Sequence, residues 1–125
     1  MNIEELNKEA KSLAQEIWKD SSKWNVNIEK AKELTRLALS ENPKHEISLI
    51  IMGTLLCDCG QHAKAAEYFK LAITNGSEDR NAYFNLGVAL INCAAHEEAM
   101  EYMKIAKAKQ SNPATWEAYF DPMGH

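Results

Sequence analysis

A chain of 125 residues has the size of one domain and can bury a core without disulfides or a metal. With 14 Lys and Arg against 18 Asp and Glu it carries a net charge of -4, which argues against nucleic acid or an anionic membrane as partner. The 3 cysteines, Cys57, Cys59 and Cys93, do not make an even disulfide set, and the N-terminus lacks the basic and apolar blocks of a signal peptide, so a reducing, cytoplasmic setting is expected.

Apolar residues recur at helical spacing throughout. Ile3, Leu6, Ala10, Leu13, Ala14, Ile17 and Trp18 mark a first amphipathic helix from about Asn2 to Lys19. A polar stretch from Asp20 to Asn27 reads as a loop, and a second helix comes after it, from about Ile28 to Ser40. Asn42-Pro43 has the form of an N-cap with proline at the first helical position, so it should open helix three, which Gly60 closes. Helix four covers about His62 to Thr74 and ends at Asn75-Gly76. Ser77, with Glu78 and Asp79, should cap helix five, which runs to about Cys93, and helix six covers about His96 to Gln110. Asn112-Pro113 then reads as the start of a short closing helix over about 113–120, stopped by Asp121-Pro122. The longest mostly apolar run, Ile47 to Cys57, falls far short of the ~20 residues that span a bilayer.

The chain repeats itself. Placing residues 46–79 on 80–113, a shift of 34, gives ten identities without a gap, among them Gly53/Gly87, Ala65/Ala99 and Ala72/Ala106. Leu49-x2-Met52-Gly53-x2-Leu56 followed by Ala65-x3-Phe69 and Ala72 resembles the tetratricopeptide repeat. Tyr83-x2-Leu86-Gly87-x2-Leu90 with Ala99-x3-Met103 and Ala106 resembles it again. An earlier unit, about 8–43, matches in Ala31-x3-Thr35, Ala38 and Pro43. Its first half fits only if Ala10, Leu13, Ala14 and Ile17 take the packing positions and about five extra residues fall in the loop after them.

The resemblance implies an all-α, right-handed solenoid of about three helical hairpins plus the short C-terminal helix, forming one domain over 1–125 with repeats at about 8–43, 46–79 and 80–113. It also implies which residues line the inner face where family members hold a protein ligand: Lys8, Lys11, Gln15 and Trp18; Ile47, Ile50, Ile51, Thr54, Cys57 and Asp58; Asn81, Phe84, Asn85, Val88, Ile91 and Asn92. Some members clamp a C-terminal carboxylate, but Ile50 and Thr54 stand where such a clamp has lysine and asparagine, so that activity is not implied. Helix three is apolar all round, and repeat stacking covers only one side of it. Its second side is left for a partner, for the chain's own N-terminal helix or C-terminal aromatic segment, or for a second copy in a homodimer.

No sequence pattern announces catalysis: there is no His-Glu-x-x-His pair, no phosphate loop and no nucleophile elbow. Cys59/His62 and Cys93/His96, with Cys57 nearby, have the residue types of a zinc site. Duplication alone explains the coincidence, however, and neighbouring repeat helices stand roughly 8 to 10 Å apart while zinc ligands lie within about 2.3 Å of the ion. No catalytic residue, metal or cofactor is therefore expected. Trp18, Trp24 and Trp116 are either partner anchors or covers for the ends of the array, Trp116 the latter together with Tyr119 and Phe120. The expected role is non-catalytic recognition of a protein or peptide by an adaptor or chaperone-like module. A bacterial immunity protein or secretion chaperone for one partner is an alternative. A Cys/His metal or redox sensor, or an enzyme with a dispersed site, is the alternative of another class.

Overall fold

The structure, a computed structural model, describes residues 1–118. They form six α-helices and one 3-10 turn, with no strand among the described residues: α1 (Ile3–Lys19), the turn (Ser21–Lys23), α2 (Trp24–Glu41), α3 (Glu46–Asp58), α4 (His62–Thr74), α5 (Arg80–Asn92) and α6 (His96–Ala106). α1 packs on α2, α3 on α4 and α5 on α6, while α1 touches α3 and α3 touches α5. This is the helical-hairpin stacking of a tetratricopeptide-type solenoid.

The repeat period governs burial in all three hairpins. Ala31, Ala65 and Ala99 are buried at equivalent places, as are Ala38, Ala72 and Ala106, whereas Leu37, Leu71 and Ile105 are exposed at the position preceding the second alanine set. A side chain this small lets the next helix approach closely. Glycine is required at the two hairpin crossings for the same reason: a Cβ on Gly53 would meet the Phe69 ring at 2.6 Å, and one on Gly87 would meet Met103 Cγ at 2.5 Å. The apolar positions of α1 join this scheme as expected, with Ala10, Leu13, Ala14 and Ile17 packed beside Ile28 and Ala31.

Several local expectations are corrected. α2 starts at Trp24, not Ile28, so most of the expected loop is helical; Asp20, whose carboxylate accepts from Ser22 N at 3.0 Å, turns the chain within a few residues. Asn42 ends α2 and does not open α3. Its side chain accepts from Lys44 N at 3.1 Å in a tight turn through Pro43, and His45 becomes the N-cap of α3. Asp79, not Ser77, caps α5, and α6 stops at Ala106, short of Gln110. The short closing helix is absent over 113–118: Asn112 makes the same turn as Asn42, with Ala114 N donating to its side chain at 2.8 Å, and the chain then runs on without helical structure. The remainder of that expected helix, with Tyr119 and Phe120, lies outside the described residues. No helix among them is long and apolar enough to cross a membrane.

Candidate functional site

The inner face lined by α1, α3 and α5 is where the sequence places ligand contacts, and the chain's own residues 112–118 are seated along part of it. After α6 the chain turns back, Arg80 N donates to Gln110 O at 3.1 Å, and Thr115, Trp116 and Ala118 become buried. The capture begins at Asp79. One of its carboxylate oxygens accepts from Asn81 N at 2.9 Å, capping α5, and from Asn112 N at 3.0 Å; the other accepts from the Thr115 hydroxyl at 2.5 Å. Asn81 Nδ2 donates to the same hydroxyl at 3.0 Å.

Asn85, one helical turn further on, holds the main chain of the segment. Its Nδ2 donates to Trp116 O at 2.9 Å and its Oδ1 accepts from Ala118 N at 2.9 Å. A carboxamide can offer donor and acceptor side by side, as the edge of a β-strand does, and here both engage peptide groups two residues apart. The second Nδ2 hydrogen goes to Thr54 Oγ1 at 3.0 Å, and that hydroxyl donates to Ile50 O at 2.8 Å, so α3 fixes the orientation of the amide. From α1, the Lys11 ammonium donates to Pro113 O and, at 3.3 Å, to Thr115 O. Glu117 points outward to Arg80 at 2.7 Å, and the Arg80 guanidinium lies 4.8 Å over the Phe84 ring.

The side chains of the segment fill apolar space. Trp116, 6% exposed, packs in a cluster with Ala10, Leu13, Ala14, Ile17, Ile51 and Leu55, and Ala118 joins the cluster that contains Ile50 and Leu86. The reading of Trp116 as a cover for the end of the array is corrected: an extended segment carries it back to the inner face of the first two hairpins, where it packs against α1 and α3 and not over the last repeat.

The inner-face residues accordingly fall into three groups, with Trp18 apart from them. Ile50, Ile51, Thr54, Cys57, Asp58, Asn81, Asn85 and Val88 are buried; Ile50 is 0% exposed, so of the occupants left open for the second side of α3 it is the chain itself that encloses it. Phe84, Ile91 and Asn92 are half-buried. Lys8, Lys11, Gln15 and Ile47 border a cleft of about 500 Å³ that stays open between α1, the start of α3 and residues 112–114. Trp18 lies at the far end of α1 and is 47% exposed. The C-terminal aromatic segment is among the covers the sequence offers for α3, but sequence reasoning makes it a helix and misses Asp79 and Arg80 as parts of the site. Asp79 is legible only as a helix cap, and an arginine before an aromatic has no spacing that singles it out.

The cysteines do not converge. Cys57 is buried, Cys59 half-buried and Cys93 exposed, all three are free, and no group of three or more His, Cys, Asp or Glu among the described residues is placed to hold a metal ion. Burial, and after it the neighbouring Asp58 charge, pushes the Cys57 thiol far above the usual thiol range, the opposite of what a reactive or metal-binding cysteine needs.

A stack of helical hairpins with an extended segment seated along its first helices defines a helical-repeat scaffold with a peptide-sized inner groove. The family profile of the tetratricopeptide repeat matches residues 81–113, which comprise α5, α6 and the turn beyond, and this match supports membership of the tetratricopeptide-repeat family. No curated protein shows a significant match to the chain. The repeat supports a protein–protein interaction module, of a kind that is generally non-catalytic.

Proposed function

We propose that the protein is a non-catalytic recognition module whose inner face, between α1, α3 and α5, receives an extended segment of a protein partner. The observation that carries this reading is the pairing of the Asn85 carboxamide with Trp116 O and Ala118 N, because those two bonds recognise a main chain and require no particular side chain. Around that clamp the pockets for Thr115, Trp116 and Ala118 add selectivity, and the open cleft at Lys8, Lys11 and Gln15 lets a longer peptide continue along the face. Adaptor and chaperone-like roles both use such a groove.

Selection from a library of displayed random peptides tests the reading. Binders should be recovered that lose most of their affinity for a folded Asn85→Ala variant. Recovered peptides that bind Asn85→Ala and the parent equally would place recognition elsewhere on the molecule.

A further inference from the structure

We propose that residues 112–118 are a built-in competitor for the partner site, and that the partner segment shares their chemistry: a hydroxyl residue, a large aromatic, an acid, then a small residue. This rests on the recognition role proposed above for the same face. Each position of the seated segment meets a distinct set of partners. The Thr115 hydroxyl donates to Asp79 and accepts from Asn81, and only a group with both capacities satisfies the two at once. The next pocket is lined by α1 and α3 side chains and takes the whole body of Trp116; its indole Nε1 is buried without a hydrogen-bond partner, so the pocket selects an aromatic for its size and not for its polar tip. At the third position Arg80, held over Phe84, offers a positive charge at the rim. At the fourth, Asn85 takes the main chain and the Ala118 methyl group is buried at the edge of the core.

The segment is tethered to α6 by residues 107–111, outside any helix, and the side chain of Lys109 ties this connection to the exposed Glu78. A tethered occupant acts at high effective concentration and lowers the apparent affinity of any outside ligand by the fraction of time it is seated. Next to it the open cleft reaches Asn112, Pro113 and Ala114, which gives an entering chain contact surface before the internal segment has left.

The test uses a fluorescent peptide with the sequence of residues 111–118 and the full chain. Trp116→Ala should bind this peptide about tenfold or more tightly than the parent does, because the internal copy is weakened and the added one is not. Glu117→Arg removes the rim ion pair without touching the core, so it carries the same comparison should Trp116→Ala not fold. Adding Asn85→Ala to either variant should abolish binding. If the peptide binds parent and folded variants equally and with the same dependence on Asn85, the groove takes peptides but the segment does not compete, and the inference alone is overturned. If the peptide binds no folded variant, the recognition role of this face falls with it. A parent that forms a dimer by exchanging its C-terminal segments would overturn competition within one chain.

Discussion

Single residues report how closely the hairpins approach. A methyl group on Gly53 meets the fully buried Phe69 ring, and one on Gly87 meets Met103 Cγ and approaches the Ala99 backbone carbonyl. Gly53→Ala and Gly87→Ala should therefore each cost about 1 to 3 kcal/mol of overpacking in urea unfolding. Ala94 stands one repeat after Gly60 and shares its left-handed backbone, with φ of 61° against 79°. An L side chain is strained there, so Ala94→Gly should raise stability by about 1 kcal/mol and the melting temperature with it. The thiols should react in order of access: a thiol reagent should label exposed Cys93 first, and buried Cys57, whose thiolate is suppressed, only on unfolding. Early labelling of Cys57 would contradict the enclosure of α3.

At the scale of elements, α3 is core on every side. Leu56→Ala should cost about 2 to 5 kcal/mol, and Ile50→Ser should be comparably damaging because it places a hydroxyl where a buried aliphatic packs against other core side chains. A near-neutral Ile50→Ser in thermal unfolding would contradict that packing. The repeat is legible in the sequence because its determinants are local and periodic: small residues at the crossings, alanines at the docking faces, glycine at two of the turns. The fate of the two Asn-Pro pairs is not. Asn42-Pro43 and Asn112-Pro113 make the same turn, and distant partners decide the course of the chain beyond each of them. His45 caps a helix after the first, whereas Asp79 and Asn85 capture the main chain after the second. Asn85 is legible as an inner-face residue, but nothing near it in the chain states that its own ligand lies some thirty residues downstream.

For the whole molecule, the apolar inner face of the solenoid and the peptide that satisfies it belong to one chain. Trp116 packs into the apolar cluster of α1 and α3, while Asn85 and Lys11 give the contact main-chain hydrogen bonds. Amide hydrogen exchange at Ala118 measures this directly, since its N–H is satisfied by Asn85 Oδ1 and by no helix of its own. The structure predicts exchange well slower than in an unstructured peptide, and a return to the peptide rate in a folded Asn85→Ala variant. Free-peptide exchange at Ala118 in the unaltered protein would mean that the groove is open and that the segment is not seated in it.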